Sequence, residues 1–266
     1  MDHHGNSPEA GSRAAEEFAA FPGTEAAQTA YSQAGLALAS AADNIFALQR
    51  VLTEPMMSFA PWVLGRAVLE ATATASWLLD PSAELTTRIC RSMSLRLRQL
   101  QDQATFGRQA VKEKWGPPEQ VRGVAGHVQG RVQALRADAD KLGVVAKVDR
   151  NGRLIGFGEG VPSATALAER FGEGATYRIL SGLTHGAFWA QLALAVRKSQ
   201  GDRPAVEQHM TPQGVLFLVI KSTDWFAKPV WEYFRYSGWD SAPLVSEFER
   251  AYDGLGVKRD GRFWVV

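Results

Sequence analysis

Two residues able to do chemistry stand in the middle of an apolar run. Between 177 and 189 the chain reads Tyr-Arg-Ile-Leu-Ser-Gly-Leu-Thr-His-Gly-Ala-Phe-Trp. On a helix, Arg178 and His185 are seven residues apart, about two turns along one face. Ser181 and Gly182 fall between them on nearly that face, while Ile179, Leu180 and Leu183 point away. The pattern predicts two cationic or hydrogen-bonding groups bordering a cavity or a dimer cleft. The small residues would form its floor and leave room for a phosphate or a partner backbone. A buried charge needs a partner or a function, so the same residues also admit a purely structural reading.

A second pair of charges interrupts another apolar segment. Arg66 and Glu70 are i,i+4 and share one helix face with Thr74 and Trp77. The sequence predicts that both are largely buried and that Glu70 accepts a hydrogen bond from Arg66 or from Arg178. An internal ion pair that fixes helix register is the preferred reading over a direct catalytic role.

Other chemistry is not written in the sequence. It has no P-loop and no nucleophile elbow around Ser181, and no Cys/His spacing that suits zinc. No Glu-x-x-His pair of a di-iron bundle is present. The run Gly156-Phe157-Gly158-Glu159-Gly160 has Val161 at the third glycine position and no βαβ frame, so it reads as a connection. The expectation is no cofactor, no metal, and metal-free chemistry or none.

Composition sets the frame. The chain has 266 residues, 45% of them hydrophobic, enough for a substantial core. A formal charge of +1 gives no global field toward nucleic acid. The single cysteine, Cys90, excludes an internal disulfide framework and fits a reducing cytoplasm. No run approaches the ~18 apolar residues of a membrane span, and the first residues lack the pattern of a secretory signal. Residues 1–25, with His3 and His4, read as a disordered tail containing a short helix over 14–21.

The elements expected to carry these residues are mostly helical. Apolar periodicity predicts helices over 31–52, 58–79, 83–114 and 119–142. In the third, Arg88, Arg91 and Arg98 share a face able to contact phosphates but read as solvated. His127 is off the seam of the fourth and read as exposed. Asn151-Gly152 between β-rich arms predicts a two-residue hairpin within 144–157. Ser163 is an expected N-cap for a helix to 171. The helix bearing Arg178 and His185 is expected over 175–198. It is followed by a polar loop with a solvated His209, an aromatic helix over 213–236 kinked at Pro229, and a last helix over 242–252. Residues 257–266 read as a strand or hairpin. The simplest architecture is mainly α, a single-domain helical bundle over 26–256 with a small inserted antiparallel ribbon.

Arg178, six intervening residues and His185 match the R-x(4–6)-H motif of the HEPN superfamily of helical nucleotide-binding and RNA-cleaving proteins, which this chain resembles. The ordered blocks Arg66 to Glu70, Trp77 to Pro81 and Tyr177 to Gly186 also look like a family of bacterial helical proteins. The HEPN resemblance implies a helical bundle, often dimeric, with the motif helix at the dimer interface. It implies metal-independent RNA cleavage through the 2′-hydroxyl, in a toxin or phage-defence setting. Carried over, His185 is the general acid or base and Arg178 the phosphate clamp, roles that suit imidazole and guanidinium. Ile179 departs from the polar residue often found there. The competing expectation is a non-catalytic interaction or regulatory module. In it Arg66, Glu70, Tyr177, Arg178, Ser181 and His185 form a buried polar network.

Overall fold

A computed structural model describes residues 7–21, 25–53, 56–115, 118–193, 196–200, 203–207 and 210–254. In chain order the first elements are α1 (Arg13–Ala20), α2 (Ala26–Val51), α3 (Ala60–Leu78), α4 (Leu85–Lys112) and α5 (Pro118–Lys141). Then come β1 (Ala146–Val148), β2 (Leu154–Phe157), α6 (Ala164–Arg170), α7 (Gly174–Thr184) and α8 (Phe188–Ala193). The last are β3 (Val196–Gln200), β4 (Arg203–Glu207), α9 (Pro212–Ser237) and α10 (Ala242–Gly254). The fold is mainly α, as the periodicities predict, with two small antiparallel ribbons among the described residues where one was expected. The strand or hairpin expected over 257–266 lies outside the described residues, as do His3, His4 and His209.

The chain divides into two compact units rather than the single bundle expected. One comprises Met1–Ser12, Ala34–Leu79 and Pro162–Val266; the other comprises Arg13–Gln33 and Asp80–Val161. The boundary at 33/34 falls inside α2, where no change of composition marks it.

In the first unit α3 packs against α6, α7 and α9. Its core gathers Trp62, Val68 and Leu69 of α3 with Leu180 and Leu183 of α7 and Leu218 and Trp225 of α9. Gly65 permits the close approach of α3 to α9: a Cβ there would meet Leu218 Cδ2 at 2.8 Å. Ser163 caps α6 as expected, its Oγ accepting from Ala166 N at 3.1 Å. Helix α9 continues through Pro229, although proline removes one backbone donor there.

The long helix expected over 175–198 is not continuous. It ends at Thr184, with His185 as C-cap and Gly186 at φ +66°. Ala187 N donates to Gly182 O at 2.8 Å and Gly186 N to Leu183 O at 3.2 Å. This is the Schellman pair of hydrogen bonds, which a left-handed glycine makes inexpensive. Beyond α8, β3 and β4 pair antiparallel from Val196↔Glu207 to Gln200↔Arg203, where a helix end and a polar loop were expected. The sequence signal for it is Gly201-Asp202 between the arms.

In the second unit α4 packs on α5 and on β2, around Ile89, Met93, Leu97, Leu154 and Phe157. The ribbon expected in 144–157 is present, with Ala146↔Phe157 at its open end. Its turn differs in detail. Asp149 N donates to Arg153 O at 2.8 Å and Gly152 N to Asp149 O at 2.9 Å. The loop is therefore three residues, 150–152, with Gly152 at φ +73° supplying the left-handed position. The tail expected over 1–25 contributes α1, whose Glu17 is buried.

Candidate functional site

The site is built in the first unit by α3 and by the C-terminal end of α7. Arg66 and Glu70 stand one turn apart on α3, and Arg66 Nε donates to Glu70 Oε1 at 2.7 Å. Tyr177, on α7, donates from Oη to the same Glu70 oxygen at 3.0 Å. Arg66 Nη2 donates to Tyr177 Oη at 3.3 Å, and the guanidinium lies 5.4 Å from the centroid of that ring. Arg66 Nη1 lies 3.0 Å from His185 Nε2. Arginine has donors only, so a hydrogen bond here assigns the lone pair to Nε2 and the ring N–H to Nδ1. His185 is exposed and presents a proton acceptor at its contact with a fixed cation.

Burial by itself lowers the Arg66 pKa. The hydrogen bonds to Glu70 and Tyr177 outweigh it and hold the guanidinium above its ordinary value. Burial, followed by the hydrogen bond and charge of Glu70, pushes the Tyr177 phenol up. Both groups keep their protons at neutral pH.

Arg178 and His185 take different partners. Arg178 is 66% exposed and pairs with Glu169 of α6 at 3.1 Å. The guanidinium at His185 belongs to Arg66. Glu70 accepts from Arg66, as expected. The pair is less buried than expected, with side chains 19% and 37% exposed. Ser181 is half-buried, and its carbonyl accepts from His185 N at 3.1 Å, fixing the C-cap. The small-residue notch is occupied by the chain itself. A Cβ at Gly182 would meet Ala190 at 2.8 Å and Trp189 at 2.9 Å, because α8 folds back onto α7 there.

The second unit holds polar networks that sequence reasoning missed. Arg88, read as solvated, is 0% exposed. Its Nε lies 3.2 Å from Glu17 Oε2, which also accepts from Tyr31 Oη at 2.9 Å. Burial, then the charge of Glu17, raises the Tyr31 pKa. Arg91, also buried, bridges Glu159 at 2.8 Å and Asp80 at 3.1 Å. These partners are 71, 68 and 11 residues away, beyond the reach of helix-face reasoning. His127 is exposed, as expected.

Among the described residues no group of three or more His, Cys, Asp or Glu side chains is placed to hold a metal ion. No described helix is long and apolar enough to cross a membrane. No family model matches the chain, and no curated protein or solved structure matches it.

Proposed function

We propose that the first unit carries a metal-independent RNA-cleaving site of the HEPN kind, centred on His185 and Arg66. The observation that supports this reading is the 3.0 Å contact of Arg66 Nη1 with Nε2 of an exposed histidine. In the reaction His185 Nε2 takes the proton of a ribose 2′-hydroxyl. The 2′-oxygen forms a bond to phosphorus and the bond to the 5′-oxygen breaks. The 5′-oxygen takes a proton from water, leaving a 2′,3′-cyclic phosphate and a 5′-hydroxyl, and His185 returns its proton to solvent. The phosphate replaces His185 as the partner of Arg66 Nη1, and the guanidinium stabilises the charge that develops on the phosphoryl oxygens. Glu70 and Tyr177 orient Arg66. Arg178 exchanges Glu169 for a flanking phosphate.

Purified protein is expected to cut single-stranded RNA in the presence of chelator. His185→Ala should lower the rate by about 10²–10⁴-fold, with an unchanged thermal midpoint. Arg66→Ala should lower kcat, and Arg178→Ala should chiefly raise KM. Cleavage that persists in both His185→Ala and Arg66→Ala rejects the site. The second reading is a non-catalytic interaction module. It is favoured by the fact that Arg66 Nε, Nη1 and Nη2 each have a partner within the same unit. On that reading no variant cuts RNA, and Arg66→Ala lowers the unfolding midpoint.

A further inference from the structure

The first unit contains a cavity of about 530 Å³ between α3, α7 and the start of α9. Its volume falls in the range of small-ligand sites. Trp62 and Phe217 supply aromatic walls, with ring centroids 6.4 Å apart and planes 37° from parallel. Leu180 and Ile179 add aliphatic surface, and Thr176 and Gln213 add polar side chains to the lining. Gly214 lets Met210 and Trp62 pack closely against the start of α9 at the cavity wall: a Cβ there would stand 2.9 Å from Met210 Sδ and 3.2 Å from Trp62.

The cavity and the His185 site share two helices. Trp62 lines the cavity and Arg66, four residues on, holds the site, so the two residues stand about one turn, roughly 5–6 Å, apart along α3. On α7, Thr176 and Leu180 line the cavity, while Tyr177 belongs to the site. A ligand that fills both carries a flat, largely apolar ring with a polar edge, joined over one short link to an anion. A nucleotide has that construction. Aromatic walls stack a base whatever its identity, and Thr176 and Gln213 offer hydrogen bonds to its edge.

We propose that this cavity is a nucleobase pocket, seating the base next to the phosphodiester held at Arg66. The proposal rests on the RNA-cleaving reading for its biological use, but base binding is measured independently of cleavage. Isothermal titration of the full chain with adenosine 5′-monophosphate, uridine 5′-monophosphate and ribose 5-phosphate tests it. Both nucleotides are expected to bind, and ribose 5-phosphate at least about fivefold more weakly, the loss that corresponds to one stacked base. Phe217→Ala should weaken adenosine 5′-monophosphate by about five- to tenfold, and Phe217→Tyr should restore it. Ile179→Trp, at a partly exposed position, should block the space without removing a core side chain.

Equal binding of ribose 5-phosphate, or nucleotide affinity unchanged in both Phe217→Ala and Ile179→Trp, overturns the pocket. So does failure of both nucleotides to bind. Cleavage that His185→Ala abolishes, with nucleotide binding indifferent to the cavity variants, rejects the pocket and leaves the catalytic site standing. Nucleotide binding that the cavity variants weaken, without any RNA cleavage, does the reverse.

Discussion

Each nitrogen of Arg66 has its own partner, and those partners come from α3, α7 and the cap of α7. The Arg66–Glu70 part of this arrangement was legible in the sequence, because i,i+4 neighbours on a helix must meet. The link to His185 was not, since 119 residues intervene. The R-x6-H spacing pointed to Arg178, yet that residue faces Glu169. Exposure sets the expected costs of substitution. Arg66→Ala or Glu70→Ala should lower stability by about 1 kcal/mol or less, as for partly exposed pairs. Arg88→Ala should cost more, about 1.5–3 kcal/mol, because it removes a fully buried charge-assisted hydrogen bond to Glu17, which keeps Arg13 and Tyr31 as partners. Denaturant midpoints at constant m-value compare the variants directly. A smaller loss for Arg88→Ala than for Arg66→Ala would reverse the order that burial dictates.

At the scale of elements, periodicity located the helices and misjudged where one of them stops. Apolar residues continue past His185, so the pattern alone extends the helix to 198, whereas Gly186 turns the chain and α8 folds back over Gly182. Thr-His-Gly is a legible helix end only if the glycine is weighed above the run of apolar side chains. The second ribbon is hidden for a related reason: the polar composition of 200–212 reads as a loop and outweighs the two-residue hairpin signal in Gly201-Asp202. Asn151-Gly152 marks the place of the first turn, whose loop holds one residue more than that pair alone predicts. Gly186→Ala should cost about 1–2 kcal/mol through the left-handed backbone, and Gly186→Asn less, since asparagine tolerates that conformation. Because Gly186 follows the residue that contacts Arg66, Gly186→Ala should, on the proposed RNA-cleaving reading, also slow cleavage in single-turnover rates. An alanine variant as stable and as active as the parent would contradict the role assigned to this turn.

At the scale of the whole molecule, the division into two units was not legible, since the boundary cuts an uninterrupted helix. Each unit keeps a carboxylate held below its ordinary range. Burial raises Asp80, but hydrogen bonds from Ser82 and Arg91 outweigh it and bring it below 3.8. Burial likewise raises Glu173, and hydrogen bonds, that of Lys221 first, bring it below 4.5. A carboxylate with a depressed folded pKa contributes stability that is complete above its unfolded value and lost as pH falls through the folded one. Stability should therefore fall below about pH 4.5. Asp80→Asn and Glu173→Gln should each flatten that acid limb while lowering stability at pH 7. An acid limb of unchanged steepness in both variants would mean other groups set it.

The interruption of the first unit by the second has a consequence in time. Arg66 leaves the ribosome 119 residues before His185. At typical elongation rates of about 5–20 residues per second, the two halves of the site are separated by roughly 6–24 s of synthesis. Throughout that interval the nascent chain carries the guanidinium without the imidazole. On the proposed RNA-cleaving reading, the chain is made beside its own message without the means to cut it, until α7 emerges and finds α3.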